Sequence, residues 1–174
     1  MTLVPNPPVI ETENLILRLP EPCDAEGSIA FRTSERSRFV GGPDSARMAW
    51  SNFASELGHW AIRGYGSFAV TRKGEDRCLG LIGPWFPGGW PEQEIGWLIW
   101  EEAEGKGVAY EAALATRAWA YEHLCWTTAV SYIEPDNHRS IRLAERLGAV
   151  RDESAVPLDP EDLVYRHPAP EDLQ

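Results

Sequence analysis

The chain has 174 residues, of which 43% are hydrophobic, so it is long enough for one domain with a buried core. Its formal net charge is −11, which argues against nucleic-acid binding because that binding depends on Lys and Arg side chains that neutralise phosphates. We find neither a signal peptide nor an apolar stretch of membrane-spanning length, and we therefore expect a cytoplasmic protein with no membrane partner.

The first half of the chain predicts one strand and two helices. Residues 1–12 form a proline-rich lead-in, and the alternating run at 14–19 predicts the first strand. A short helix follows up to Thr33, with Asp24 as a candidate cap. A longer helix is expected to start at Asp44, after a Gly-Gly-Pro break. Apolar residues three or four apart predict its core-facing stripe as Met48, Trp50, Phe53, Leu57 and Trp60.

The second half alternates strands and helices. Residues 67–71 and 78–82 predict a hairpin, and a third strand follows at 94–100. The remaining predicted elements are a helix from Gly107 to about Leu124, a strand at 127–133, a helix at 137–147, a weak strand from Val150 and a last strand at 163–167. The order β-α-α-β-β-β-α-β-α-β-β predicts one α/β (α+β) sheet domain over residues 13–168, with helices on its faces and an acidic tail at 169–174.

The sequence EIGWLIWEEAEGKGVAYEA at 94–112 predicts a strand, a glycine turn and the start of a helix. The first N–H groups of a helix have no internal partner, so this turn suits a phosphate or pyrophosphate. A Walker loop is excluded because Gly107 stands where a Ser or Thr would hold magnesium. A dinucleotide fingerprint fits Gly105 and Gly107 but not Tyr110. Coenzyme A is the third candidate ligand.

Three segments together resemble the GNAT N-acetyltransferase superfamily, and the resemblance covers most of the chain. IETENLILR at 10–18 is similar to the family's opening strand, EIGWLIW…EGKGVAYEA to its cofactor motif, and EPDNHRSIRLAERLGA at 134–149 to its second motif. The branch most similar is that of the ribosomal-protein N-terminal (alanine/serine) acetyltransferases. The resemblance implies a mixed, mostly antiparallel, twisted sheet of about seven strands with helices on both faces. It also implies acetyl-CoA as co-substrate.

The resemblance assigns the cofactor-binding residues. Backbone N–H groups from the turn would hold the pyrophosphate, and the main chain of the preceding strand would pair with the amide-bearing arm of coenzyme A. Asn137 would cap a helix and contact that arm, and Ser140 would lie near the sulfur and donate to the thiolate. A bulge at Gly96 would open the slot for the arm. The full set is Leu98, Ile99, Trp100, Gly105, Lys106, Gly107, Val108, Ala109, Asn137 and Ser140.

Two departures from the family pattern concern charge and catalysis. Glu102 and Glu104 place acids beside a pyrophosphate site, so we expect both to point to solvent, with Lys106 offsetting them. Many relatives have a tyrosine as the catalytic acid seven residues after the capping Asn, where this chain has Ala144. Ser140 is then the candidate acid, although it also reads as an ordinary early-helix serine.

Glu94 is the candidate general base, acting directly or through a water, and its neighbour Glu92 has the same claim. Either could equally be a solvated acid at a strand edge. The loop residues Trp85, Phe86 and Trp90 could form an acceptor wall or plug one end of the sheet. Six other tryptophans are expected in the core or an interface, namely Trp50, Trp60, Trp97, Trp100, Trp119 and Trp126.

No metal site or disulfide framework is expected. The cysteines Cys23, Cys78 and Cys125 form no CxxC pair, and the four histidines show no ligand-like spacing. Buried, reduced thiols in a cytosolic protein fit this pattern better.

Three functions are compatible with the sequence. The first is an N-acetyltransferase that moves an acetyl group from acetyl-CoA to a primary amine, either a protein N-terminus or a small amine, without a covalent enzyme intermediate. The second is a non-catalytic acyl-CoA-binding sensor or subunit. The third is a dinucleotide-binding oxidoreductase. The sequence leaves open the acceptor, the acyl length and the oligomeric state, monomer or homodimer.

Overall fold

The computed structural model describes residues 4–173. Its strands are β1 (Ile10–Glu11), β2 (Leu15–Arg18), β3 (Phe68–Arg72), β4 (Gly80–Trp85), β5 (Glu94–Ile99), β6 (Val130–Ile133), β7 (Val150–Arg151) and β8 (Leu163–Arg166). Its α-helices are α1 (Ala25–Arg32), α2 (Ala46–Arg63), α3 (Val108–His123) and α4 (His138–Arg146). Short 3-10 segments lie at Pro22–Asp24, Glu35–Val40, Glu101–Ala103 and Pro170–Leu173.

The strands form one sheet in the order β1-β2-β3-β4-β5-β6-β8-β7. Every neighbouring pair is antiparallel except β5 with β6. This confirms the prediction of a single mixed, mostly antiparallel sheet. The described residues contain eight strands rather than about seven because Ile10–Glu11, inside the expected lead-in, pairs with β2.

Helices cover both faces of the sheet. On one face, α3 packs closely because its fully buried residues include the small side chains of Ala112 and Ala113. On the opposite face, Phe53 of α2 packs against Leu81 of β4 and Leu98 of β5, together with residues of α1. The central strands β3 and β4 are therefore shielded from solvent on both sides, which agrees with their nearly continuous runs of buried residues.

The buried stripe of α2 differs from the predicted one. Met48 and Trp50 are 54% and 62% exposed, so the prediction that they face the core is wrong. The buried residues of this helix are Ala49, Phe53, Glu56, His59 and Trp60. These positions follow one helical face, and Met48 and Trp50 flank that face on either side of Ala49. An alanine, a glutamate and a histidine thus occupy places where large apolar side chains were expected.

The sheet opens between β5 and β6. Strands β4 and β5 stay in continuous register, and Gly96 pairs directly with Gly83, so the bulge expected at Gly96 is wrong. Strands β5 and β6 pair only at Glu94 and Val130. Beyond that pair the two strands diverge. The opening that a bulge was expected to create therefore comes from the short parallel pairing.

A buried polar network ties the closed end of this opening together. The Ser131 hydroxyl of β6 donates to the Ile95 carbonyl of β5 at 2.7 Å, and Ser131 Oγ lies 3.0 Å from His167 Nε2. On its other side, His167 Nδ1 lies 3.2 Å from Nη1 of Arg117 in α3. Because the serine proton is committed to Ile95, His167 must donate from Nε2 and accept at Nδ1. His167 is therefore a neutral imidazole in this network, and Arg117 Nε is buried without a hydrogen-bond partner.

We expect His167 to make the protein less stable in mild acid. Burial lowers the pKa of His167 to about 3, from an ordinary value of 6.5. Between these values the unfolded chain binds one proton more than the folded chain, so stability falls as the pH falls. From pH 7 to pH 5, wild type should lose about 2 kcal/mol more than His167→Gln, as measured by urea unfolding. Equal pH dependence in the two proteins would contradict this.

Candidate active site

The opening between β5 and β6 exposes main-chain groups of β5. The Trp100 N–H donates to Leu79 at 2.8 Å and the Trp100 carbonyl accepts from Ala103, so neither group faces the opening. Main-chain groups alternate in direction along a strand, so those of Leu98 face β4, with which it is in register. The N–H and C=O groups of Trp97 and Ile99 therefore face the opening. Of the predicted strand residues, only Ile99 offers main-chain groups to a ligand there.

The glycine turn leaves room at the start of α3. Gly105 and Gly107 have φ angles of 68° and 79°, which favour glycine, and a Cβ added to either would meet nothing within 4 Å. Gly107 is the N-cap of α3 and supplies no side-chain acceptor to the helix amides. Lys106 turns away, since its Nζ donates to the Glu102 carbonyl at 2.7 Å. The first amides of α3 are thus open to an anionic ligand.

The start of α4 lies across the opening from β5. The Asn137 side chain accepts from the Ser140 N–H at 3.2 Å, so Asn137 caps the helix as its place in the sequence indicates. The Ser140 hydroxyl accepts a 3.0 Å hydrogen bond from the indole N–H of Trp97. Trp97 is therefore part of the site as well as of the core, where it was expected.

A cavity of about 1210 Å³ joins these elements. Eight of the predicted cofactor residues line it, namely Leu98, Ile99, Gly105, Gly107, Val108, Ala109, Asn137 and Ser140. Trp100 is buried beneath the cavity and Lys106 points away from it. The sequence missed the wall formed by the 3-10 segment Glu35–Val40. That segment carries no motif and is brought to the site only by the tertiary fold.

Arginines balance the acids beside the glycine turn. Glu104 forms ion pairs with Arg36 and with Arg139 of α4, so the expectation that it points to solvent is wrong. Glu102 pairs with Arg77 at 2.6 Å rather than with Lys106. Further arginines line the cavity, namely Arg38, Arg142 and Arg146. The cavity thus has a cationic lining in an acidic protein, which suits phosphate groups.

The two candidate bases have different surroundings. Glu92 forms a two-point ion pair with Arg166, with both N–O distances at 2.9 Å. Glu94 is half-buried and accepts a 2.7 Å hydrogen bond from the Trp90 indole. Desolvation raises the pKa of Glu94 to about 7, although the Trp90 hydrogen bond opposes the shift. Glu94 is therefore the carboxylate suited to proton exchange near neutral pH.

Sequence reasoning missed Glu56, a second carboxylate on the same side of the sheet. It lies in the buried stripe of α2 and is 8% exposed. Desolvation raises its pKa to about 7, and its Oε2 atom has no hydrogen-bond partner. The signal that could have revealed it is an acidic residue four positions before Trp60 and three after Phe53, within a helical apolar stripe.

The aromatic loop after β4 is anchored to α2. The Trp85 ring stacks on His59 with ring centroids 4.3 Å apart, and the Phe86 N–H donates to His59 Nε2 at 3.0 Å. His59 Nδ1 lies 2.7 Å from the Tyr65 carbonyl, to which it donates. Trp90 contacts Glu94 through the hydrogen bond described above. The loop therefore closes one end of the sheet and orients Glu94 at the same time.

A mixed sheet that splits between two parallel strands thus lies beside a glycine turn at a helix start. Residues 14–150 match the family model of the acetyltransferase (GNAT) domain. The chain therefore belongs to the GNAT acetyltransferase family, as its motifs predicted, and it is an acetyltransferase. Members of this family use acetyl-CoA as co-substrate, and the comparisons favour coenzyme A over a dinucleotide as the ligand.

Solved structures agree with this assignment. An acetyltransferase from Agrobacterium tumefaciens strain C58 is 41% identical with a TM-score of 0.88, over 92% of this chain and 94% of that one. A protein described as a GNAT-family acetyltransferase from Bordetella pertussis is 25% identical with a TM-score of 0.75, over 92% and 99%. A protein described as a ribosomal-protein-serine acetyltransferase from Vibrio cholerae is 22% identical with a TM-score of 0.71, over 95% and 99%. The last likeness shows the fold alone.

Across residues 4–173, no helix combines the length and apolar character needed to cross a membrane. Within the same range, no group of three or more His, Cys, Asp or Glu side chains is arranged to hold a metal ion.

We expect the Asn137 cap to stabilise α4 and thereby the Ser140 side of the site. Asn137→Ala removes the acceptor for the Ser140 N–H and should lower the free energy of unfolding by about 1 kcal/mol in a urea titration. Asn137→Ser keeps a capping oxygen and is the matched control, with a smaller expected loss. Equal losses in both variants would show that the cap is not the stabilising feature.

Proposed function

We propose that this protein transfers an acetyl group from acetyl-CoA to the nitrogen of a primary amine, by direct attack while both substrates are bound. The observation that carries the proposal is the glycine turn Gly105–Gly107, with its open amides, beside the divergence of β5 from β6. The first feature suits a pyrophosphate and the second suits an extended arm that carries amide groups. Both features border the same arginine-lined cavity.

The residues present fit coenzyme A. Amides from Gly105 to Ala109 would bind the pyrophosphate, and the cavity arginines would add charge-assisted contacts. Main-chain groups of Ile99, with those of Trp97, would pair with the arm as an added strand does. Asn137 and Ser140 would meet the arm near its reactive end. When bound, acetyl-CoA supplies an acetyl group already activated as a thioester.

Acetylation of a neutral amine moves one proton from nitrogen to sulfur, and an ammonium group that enters the site first loses a further proton to solvent. A C–N bond forms with the amine lone pair, the C–S bond breaks, and its electron pair goes to sulfur. Glu94 accepts the proton that the nitrogen loses, directly or through a water. The Ser140 hydroxyl donates a hydrogen bond to the departing sulfur, which takes its own proton from solvent. No covalent enzyme intermediate is needed, since alignment of the two substrates supplies much of the rate.

Strand β5 separates the two proton-handling groups. Side chains alternate between the faces of a strand, so Glu94 and Trp97 point to opposite faces of β5. Glu94 lies on the face of α2, and Ser140 is bonded to Trp97 on the face of α4. The amine would therefore approach from the α2 side. There, the carboxylates of Glu56 and Glu94 favour a cationic ammonium group over an anionic acceptor.

The acceptor is either a protein N-terminus, as the resemblance to the ribosomal-protein branch suggests, or a small amine. A panel containing both classes, assayed for thiol release from acetyl-CoA, distinguishes them. We place the protein in the cytoplasm, where reduced cysteines are normal. Cys78 is buried, whereas Cys23 and Cys125 are exposed, so the expectation of buried thiols is wrong for these two. If coenzyme A raises the melting temperature while no amine is acetylated, the protein is instead a non-catalytic acyl-CoA sensor or subunit.

The glycine turn should govern affinity for coenzyme A. Gly107→Ala adds a Cβ to a residue in the left-handed backbone conformation. This should cost about 1 kcal/mol of stability and displace the amides at the helix start. Gly74→Ala is the matched control, since Gly74 has a φ angle of 82° and equally open surroundings in a distant turn. By calorimetry, Gly107→Ala should weaken coenzyme A binding about tenfold or more, whereas Gly74→Ala should not. Unchanged affinity in Gly107→Ala would remove the basis of the proposal.

Glu94 should set the acidic limb of the pH profile. The base must be ionised, so kcat/KM should rise with pH through about 7. Glu94→Gln should lower kcat about a hundredfold and abolish that limb. Acceptors whose amines differ in pKa show which group causes this limb. If Glu94 causes it, its midpoint stays at the same pH for every acceptor. If the amine causes it, the midpoint moves with the pKa of the amine. Glu92→Gln should reduce stability because the ion pair with Arg166 is lost, but the acidic limb should remain. If Glu92→Gln abolishes the limb while Glu94→Gln keeps it, Glu92 is the base.

A further inference from the structure

One hydrogen bond in the site joins residues that no motif connects. Trp97 lies on β5 and Ser140 lies in the first turn of α4, 43 positions later in the chain. The indole Nε1 of Trp97 is 3.0 Å from Ser140 Oγ, and both residues line the cavity. The bond crosses from the strand to the helix next to the opening in the sheet.

The chemistry of the two groups fixes the direction of this bond. An indole N–H is only a donor, so the Ser140 oxygen must accept and keeps its own proton for another partner. The Ser140 N–H is already bonded to the Asn137 side chain. Within residues 4–173, the Ser140 hydroxyl donates to no protein acceptor. Its proton is therefore available to a group in the cavity.

The core holds the indole ring in place. Trp97 is half-buried and packs against both the main core and a smaller cluster that contains Ile133, Ala144 and Tyr165. Ala144, which stands where many relatives have the acidic tyrosine, is fully buried in that cluster. The ring is thus fixed by packing from two sides. The position of Ser140 Oγ then depends on β5 as well as on its own helix.

We propose that Trp97 is a positioning residue that presents the Ser140 hydroxyl proton to the departing sulfur. Its N–H occupies one lone pair of the serine oxygen, which restricts rotation of the hydroxyl. A hydroxyl that accepts a hydrogen bond is also a stronger donor, because linked hydrogen bonds polarise one another. The proposal rests on the function proposed above, in which Ser140 takes the role that relatives give to a tyrosine at the position of Ala144, and it adds Trp97 as the residue that holds Ser140 in place.

The bond itself can be tested without any substrate. The indole N–H resonance of Trp97 is assigned as the one missing from a ¹⁵N spectrum of Trp97→Phe. In Ser140→Ala this resonance should move and exchange faster with solvent, since its acceptor is gone. Ser154→Ala, a change at an exposed serine bonded to Asp152, is the control and should leave it in place. A Trp97 resonance that does not respond to Ser140→Ala would overturn the proposal.

Kinetics test the role of the bond. Trp97→Phe keeps an aromatic ring but removes the N–H donor together with part of the indole, so kcat should fall about tenfold, as expected for the loss of one supporting hydrogen bond. The Kd for coenzyme A and the KM for acetyl-CoA should stay within about twofold, because the cofactor contacts are untouched. In the Ser140→Ala background, Trp97→Phe should cause no further loss. Trp119→Phe, at a half-buried indole on α3, controls for loss of any tryptophan.

The outcomes separate the inference from the proposed function. Additive losses from Trp97→Phe and Ser140→Ala, or an unchanged kcat in Trp97→Phe, would overturn the role of Trp97 while leaving acetyl transfer intact. A wild-type protein that neither binds coenzyme A nor acetylates any amine would overturn the function, whatever the indole resonance shows.

Discussion

The site depends on how little β5 and β6 pair. Two parallel strands joined at one residue pair leave the rest of β5 with unsatisfied N–H and C=O groups facing the gap. Such groups either bind a ligand or attract a stray strand. Here α3 and α4 flank the gap, so only a narrow, extended ligand can reach the groups. The buried Ser131–His167–Arg117 network holds the closed end, and because its imidazole is neutral, the network contributes one cation only. The sheet thus has a gap at a place where neighbouring strands in most sheets are hydrogen-bonded along their length.

The pleat of β5 turns this gap into two compartments. Glu94 faces α2, where a second buried carboxylate and the aromatic loop lie, and Trp97 faces α4, where Ser140 lies. Alternation along one strand therefore separates Glu94, the proposed base, from Ser140, the hydroxyl proposed to donate to the departing sulfur. Trp97 and Ser140 line the cavity, whereas Glu94 lies at the paired end of the gap and is not among the lining residues. This arrangement needs no rearrangement of helices, because both positions are fixed by the register of β5 with β4.

The sequence predicted the parts of this site that depend on local pattern. The alternation of β5, the glycine turn, the small residues of α3 and the Asn137 cap all follow from neighbours a few positions apart. Features that depend on distant pairing were missed. The length of the parallel β5–β6 contact, the Glu104 pairs with Arg36 and Arg139, and the Trp97–Ser140 bond each join segments more than thirty positions apart. The predicted buried stripe of α2 was wrong for another reason. Glu56 and His59 occupy buried positions that hydrophobicity alone assigns to apolar residues. A buried carboxylate costs stability, so Glu56 is a position that the apolar pattern of the helix could not predict.

The charge distribution completes the argument. A chain of net charge −11 repels an anionic nucleotide at long range. At short range, the glycine turn is bordered by arginines from the 3-10 segment Glu35–Val40 and from α4, and Glu104 holds two of them in place as their partner. Screening in salt shortens the reach of the overall charge to about 8 Å, whereas the helix amides and arginines act in direct contact. The arginines are therefore the local cations that an anionic ligand would meet on the α4 side, whereas the carboxylates of Glu56 and Glu94 lie on the α2 side.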